Sequence, residues 1–380
     1  MTNDISADDM AQVLSFFKEL ERDRQLLRAI GIHQTHQQTV IRNPSDYLFS
    51  LSRGIFRIDS KEELGFYEII GVVAMETLGD DWIKGESLKK PEERSVIYKI
   101  ISILGATGHF EKIIQYDGKR IKSEIPRSGF SKNFLTLAYD IFCLRDSGYL
   151  PEDLIERLKS FDGYQGARYE IAVAAIFCRL GYSIDWFDIH KKGGKRPEFV
   201  ARKGGYEVYV EAKSRHISGV NNKVGEFDEL KASKASGWGK LINQALEKEK
   251  EIPKNKPYIV FIDINAANDG EMPPKWVGDV RKTLKNQHLK ELIGKPAPFT
   301  NIYFTNYSYH YDGLSYAKKG VCFVYQHEKT LRFYDTIEQK GELLNAVHHY
   351  GFIPEYHIPG PMTVLQKSTE YPSIKNIFKW

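Results

Sequence analysis

Three residues stand where they could do chemistry together: Glu198, Glu211 and Lys213, all within RPEFVARKGGYEVYVEAK, Arg196 to Lys213. Two apolar-rich runs in this stretch flank Gly204-Gly205, the dipeptide of a tight two-residue hairpin. With those glycines as the whole loop, Lys203 faces Tyr206 and every pair of facing residue numbers sums to 409. That register sets Glu198 opposite Glu211. Alternation along the second strand turns Val208, Val210 and Ala212 to one face, and Glu207, Tyr209, Glu211 and Lys213 to the other. Arg202 opposite Glu207 is a sensible cross-strand ion pair, whereas two glutamates opposite each other repel.

At about 5 Å and an effective dielectric of 20, that repulsion is roughly 3 kcal/mol. A proton shared by the two carboxylates, with one pKa raised, offsets it. A divalent cation offsets it more fully, and Mg²⁺ accepts one or two carboxylates plus waters and substrate phosphates. Lys213 projects from the same face as Glu211, where an ammonium can hold an attacking water or stabilise developing negative charge. Two acids and a lysine in this arrangement suit phosphodiester hydrolysis.

The elements that must position this hairpin can be read around it. A helix is expected over Ala167–Leu180, ending at Gly181, followed by strands Tyr182–Phe187, Glu198–Lys203 and Tyr206–Lys213. Glu226–Glu251 reads as helical with a break at Gly237-Trp238-Gly239, and Tyr258–Ile264 as a fully buried strand. Asn301–Tyr307 and Val321–His327 read as further strands, and Leu343–Tyr350 as a short helix. Strands and helices in this order imply an α/β (α+β) fold, a mixed β-sheet flanked by helices. Residues 1 to about 160 read as an all-helical N-terminal domain, from Met10, Val13, Leu14, Phe17, Leu20, Leu27 and Ile30 and from the patterns at Leu64–Leu78, Val96–Leu104 and Asn133–Leu144. Pro151-Glu152-Asp153 reads as the first turn of another helix. His33-x-x-His36 has metal-ligand spacing, but nothing nearby completes a site. The expected division is 1–160, 161–335 around the hairpin, and a C-terminal extension, 336–380.

Pro197-Glu198, the interval to Glu211, and Glu211-Ala212-Lys213 together resemble the signature of the PD-(D/E)xK nuclease superfamily. Arg168-Tyr169-Glu170 on the preceding helix is similar to the acidic residue that many members carry before the first core strand. The likeness of motif order covers Phe161 to about Ile264. It implies a restriction-endonuclease-like core and a Mg²⁺- or Mn²⁺-dependent nuclease that cuts DNA, or less often RNA. By that resemblance Glu198 and Glu211 are metal ligands with the Ala212 carbonyl as a third, Lys213 organises the nucleophilic water, and Glu170 supports the metal site. Gln244 resembles a glutamine that follows Glu-x-Lys in some relatives. One departure stands out: the family's first acid is usually Asp, and Glu198 carries one more methylene. A nuclease fold that binds nucleic acid without cutting it is the alternative. Restriction or defence against foreign DNA would follow by family analogy.

Charge supports a polyanionic partner. The chain carries a net charge of +4, and the stretch from Trp186 to Lys256 holds 16 Lys/Arg against 10 Asp/Glu, so positive charge gathers around the hairpin. Lys191, Lys192, Lys195, Arg196, Arg215 and Gln244 are the candidates for nucleic-acid contact. A symmetric homodimer would let both strands of a duplex be cut, and the N-terminal region is a candidate for binding a protein regulator. No apolar run reaches membrane-spanning length, and MTNDISADDM is unlike a signal peptide. Cys143, Cys178 and Cys322 lie far apart without metal-ligand spacing, which suits core thiols in a reducing cytoplasm.

Overall fold

The computed structural model describes the chain from residue 39 to residue 353 apart from short stretches, the longest being 60–65, 107–112, 188–195, 287–299 and 327–336. Three sheets are present among the described residues. β1 (Thr39–Arg42), β2 (Asp46–Leu51) and β3 (Gly54–Asp59) form an antiparallel meander. β4 (Ile113–Tyr116) and β5 (Ile121–Glu124) form a separate antiparallel pair.

The large sheet has six strands: β6 (Ser183–Trp186), β7 (Phe199–Lys203), β8 (Tyr206–Ser214), β9 (Tyr258–Asp263), β10 (Asn301–Asn306) and β11 (Val321–Gln326). Their spatial order is β11-β10-β9-β8-β7-β6. β8, β9 and β10 run parallel in the centre, while β6, β7 and β11 are antiparallel to their neighbours. The sheet is therefore mixed, as expected. Every residue of β9 and β10 is buried, which is why Tyr258–Asp263 reads as an unbroken apolar run rather than an alternating one.

Nine helices are described: α1 (Phe66–Leu78), α2 (Asp80–Leu88), α3 (Val96–Ala106), α4 (Gly129–Asp146), α5 (Glu152–Lys159), α6 (Tyr164–Arg179), α7 (Trp238–Lys248), α8 (Lys275–Asn286) and α9 (Ile337–His348). α7 and α8 make the β8-to-β9 and β9-to-β10 crossings that parallel neighbours require. They cover one face, where Trp238, Ile242, Ala245, Trp276, Val277 and Val280 pack on Val260, Ile262, Ile302 and Phe304. α6 covers the other, resting on Phe199, Val208, Val210, Ala212, Ile259 and Phe261. The Phe177 ring meets Phe199 and Phe261 edge-on at 5.8 and 6.0 Å. α6 is buried on nearly all sides because α4, with α1 and α3 packed behind it, closes over its back in the same apolar cluster.

α5 follows Pro151 and carries Glu152 and Asp153 in its first turn and Arg157 and Lys159 in its last, the charge order a helix dipole favours. It buries Leu154, Ile155 and Leu158, which fixes the direction in which Arg157 leaves the helix. The break foreseen near Gly237 is present: Gly237 has φ +81 and α7 begins at the next residue.

Two expectations need correcting. The region 1–160 is not all-helical, since β1 to β5 lie within it. These strands are only 4 to 6 residues long, too short for a two-residue period to stand out beside the longer helical patterns around them. Nor do the helices before residue 160 keep a core of their own: Ile70, Leu104 and Phe142 belong to the cluster that holds α6, the sheet and Val347 of α9. The helix expected over Met10–Ile30 and the His33/His36 pair fall outside the described residues.

Candidate active site

The hairpin forms in the foreseen register, with Phe199 opposite Val210 and Lys203 opposite Tyr206. Gly204 and Gly205 have φ +55 and +85, the doubly left-handed turn that matches strand twist. Arg202 and Glu207 are paired at 2.9 Å. The ladder ends at Phe199, one residue short of the acids. Glu198 instead donates its N–H to the Val210 carbonyl at 3.0 Å, next to a Pro197 that has no N–H to continue the ladder. The two glutamates are thus not a strict cross-strand pair.

Their carboxylates nevertheless converge on shared cations. Lys213 Nζ lies 2.8 Å from Glu198 Oε1 and 2.6 Å from Glu211 Oε1. A second ammonium, from Lys248 at the end of α7, lies 3.1 and 2.7 Å from the same two oxygens. Lys248 was not foreseen from the sequence. It is remote from Lys213 along the chain and arrives through the β8–α7–β9 crossing; the available signal was its place one turn beyond Gln244 on the same stripe of α7.

Glu211 is fully buried, and neither of its carboxylate oxygens has a well-formed hydrogen bond despite the nearby ammoniums. Burial and the charge of Glu198 push its pKa up to about 7. Glu198 goes the other way: against the upward push of burial, Lys213 and Lys248 hold it down to about 2. Two like groups with pKa values driven apart are what crowded carboxylates produce. Lys213 is held well above the ordinary lysine range by Glu198 and Glu211, which outweigh its own burial.

Glu170 stands beside this cluster on α6. Arg157 of α5 grips it with both nitrogens, at 2.6 and 2.7 Å. Burial and the Glu198 charge nonetheless raise the Glu170 pKa, outweighing Arg157. Three acids and three bases therefore meet where α5, α6, α7 and β8 come together.

The Ala212 carbonyl also has a defined direction. Tyr209 and Arg215 donate their N–H groups toward β9, to the Pro257 and Asp263 carbonyls. Even-numbered residues of β8 must then direct theirs toward β7, and β7 begins only opposite Val210. The Ala212 carbonyl accordingly looks past the start of β7, on the edge where Glu198 lies.

A divalent cation fits these residues. Glu211 offers a buried carboxylate oxygen, Oε2, with no partner, Glu198 offers a second carboxylate, and Ala212 a carbonyl. Among the described residues no group of three or more His, Cys, Asp or Glu side chains is arranged to hold a metal. The set here is two carboxylates and a carbonyl, which leaves water and substrate to complete the shell, as Mg²⁺ prefers.

The other candidates are not drawn into the cluster. Arg196 is exposed, its guanidinium 5.9 Å from the centre of the Phe187 ring. Arg215, just past the end of β8 and two residues from Lys213, is buried and directs Nη1 elsewhere, to the Ile264 carbonyl at 3.2 Å. Gln244 is exposed on α7. Lys191, Lys192 and Lys195 fall outside the described residues. Among the described residues, no helix is long and apolar enough to cross a membrane. The chain matches no protein-family model, and neither a curated protein nor a solved structure is significantly similar to it.

Proposed function

We propose that the protein is a metal-dependent nuclease with a restriction-endonuclease-like core, hydrolysing phosphodiester bonds of nucleic acid, with DNA favoured over RNA. The observation that carries this reading is the meeting of Glu198 and Glu211 on Lys213, with Glu211 buried and its Oε2 without a partner. A buried carboxylate oxygen left unpaired, as Glu211 Oε2 is, is costly, and a divalent cation removes that cost.

Glu198, Glu211 and the Ala212 carbonyl would hold Mg²⁺ or Mn²⁺. When bound, such an ion neutralises charge on a phosphoryl group and makes water a stronger acid. Lys213, anchored on the rigid β8, points its ammonium at both carboxylates and so stands beside the reacting phosphorus. There it orients the attacking water and stabilises the negative charge that develops in the transition state. Arg157 fixes Glu170, whose charge adds to the field that draws a cation to this edge. The extra methylene of Glu198, compared with the usual Asp, is accommodated outside β7, where the ladder has already ended.

A binding module that has lost catalysis is the second reading, favoured by Lys248, whose ammonium sits against the same two carboxylate oxygens. A cleavage panel separates the two. Supercoiled plasmid, linear duplex, single-stranded DNA and RNA are incubated with Mg²⁺ or Mn²⁺ and with EDTA. A nuclease cuts at least one of them only with metal, and Lys213→Ala stops it; binding that survives EDTA without cutting in any lane supports the module. Cutting of a duplex on both strands calls for two sites, which a homodimer supplies. The three free cysteines suit a reducing cytoplasm, and a role in defence against foreign DNA rests on the motif resemblance alone.

A further inference from the structure

Two ammoniums serve one pair of carboxylate oxygens here, and only one of them stands on the strand that carries Glu211. Lys213 Nζ and Lys248 Nζ both lie within 3.1 Å of Glu198 Oε1 and within 2.7 Å of Glu211 Oε1. Two like charges crowded on the same oxygens repel, and a divalent cation added between the carboxylates would repel both. One ammonium must therefore give way before a cation can enter.

The carriers of the two lysines differ. Lys213 belongs to a strand that is paired with β9 along this segment, Lys213 facing Ile262, and it sits two residues from Glu211 on the same face. Its position is fixed by the sheet. Lys248 is the last residue of α7, reaches the acids from above, and is about one-fifth exposed. A lysine at a helix C-terminus is favoured by the dipole wherever its side chain points, so swinging outward does not forfeit that term.

An outward path for it is also present. Lys240, Gln244 and Lys248 recur at four-residue spacing on one stripe of α7, and Lys240 and Gln244 are exposed. That stripe extends for about 12 Å at 1.5 Å per residue. It leads from the acid pair to a cavity of about 320 Å³ just past the end of β8, lined by Arg215, His216 and Lys240 and also by Glu226 and Asp228. The Lys240 and Arg215 charges along it are of the sign that phosphates of a nucleic-acid strand require.

We infer that Lys248 is a resident counter-cation: its ammonium occupies the divalent-cation position between Glu198 and Glu211 in the metal-free protein, and on loading it moves out to a backbone phosphate. The inference rests on the reading of the acid pair as a metal site. It makes the site self-neutralising when empty of metal, which spares Glu211 and Glu198 from facing each other uncompensated.

Calorimetric titration of Mn²⁺ alone, without nucleic acid, tests it on the wild-type protein, K248M and K248Q. K248M should bind Mn²⁺ at least about tenfold more tightly, since a competing charge a few ångströms away is gone; K248Q, which keeps a hydrogen-bond donor, should fall between. With Ca²⁺ replacing Mn²⁺ to suppress cutting, log affinity of K248M for duplex should depend less steeply on log salt, by about 0.9, the share of one phosphate contact. Unchanged or weaker Mn²⁺ binding by both variants, with the wild type binding normally, overturns the inference and leaves the nuclease reading intact. Mn²⁺ binding by none of the three overturns both. Should K248M fail to fold, K248Q decides by the same criterion.

Discussion

Two buried carboxylates in this protein have opposite surroundings. Asp140 on α4 is fully buried between α4 and α6, accepts from Arg179 Nη1 at 2.7 Å and from the Tyr350 hydroxyl at 2.5 Å, and is closed off from water on all sides. Glu211 is just as buried, and two ammoniums meet its Oε1, yet its Oε2 has no partner. Burial raises the pKa of each. The difference lies in completeness. Asp140 has a dedicated arginine, and that arginine lies 5.2 Å from the Tyr139 ring centre and 5.7 Å from that of Tyr350; nothing further is needed there. Glu211 shares its cations with Glu198 and keeps an oxygen in reserve. A satisfied buried ion pair reads as architecture, and one with an oxygen left over, beside the start of β7, reads as a site waiting for a ligand.

Substitutions can break this contrast, and the largest effect should come from the chemistry. Lys213→Ala and Glu211→Gln should each lower metal-dependent cleavage by about 10²–10³-fold or more, the range for losing a transition-state charge partner, as read from initial rates on the best substrate of the panel. At pH 6, Glu211→Gln should change unfolding stability by less than about 1 kcal/mol, because a carboxyl with a pKa of about 7 is mostly protonated there and already neutral. Asp140→Ala should do the reverse. It should cost about 3–5 kcal/mol in chemical denaturation, the penalty for stranding a buried partner, with cleavage per folded molecule unchanged.

The pH dependence sharpens the same comparison at a smaller scale. In EDTA, Glu211 has a folded pKa of about 7 against an ordinary 4.5. Between those values the folded state keeps a proton that the unfolded chain has lost, so stability falls as pH rises from about 4.5 to about 7 and then levels. Thermal unfolding across that window should show the decline in the wild type. It should be smaller in Glu211→Gln, where Asp140 and Glu170 with their raised pKa values remain, and should shrink with Mn²⁺ present. Smallest of all, Gln244→Ala should leave stability within about 0.5 kcal/mol, as for an exposed residue outside any network, and the cleavage rate within about twofold of wild type.

Much of the site was legible because its geometry is local. Gly204-Gly205 fixes a turn, the turn fixes a register, and a two-residue period then decides which of Glu207 to Lys213 share a face. The same logic explains where the reading stopped. Glu198 lies beyond the last ladder pair because Pro197 precedes it, so the register could bring the acids close but not state how they meet. Lys248 is local to nothing in the hairpin; its approach depends on the length of α7 and on how Ile242 and Ala245 seat that helix on the sheet. Arg157 depends likewise on the packing of α5 against α6. The short strands before residue 60 were lost among helical patterns, since four to six residues carry too few periods to compete.

The central claim is that Glu198 and Glu211 together grasp one divalent cation. Crystals of the protein soaked in Mn²⁺ test it directly through anomalous scattering. The account predicts one strong peak within about 2.5 Å of carboxylate oxygens from both residues, with the Lys248 ammonium displaced from them. A peak held by only one of the two acids, or no peak at this edge while both carboxylates stay on the lysines, contradicts it.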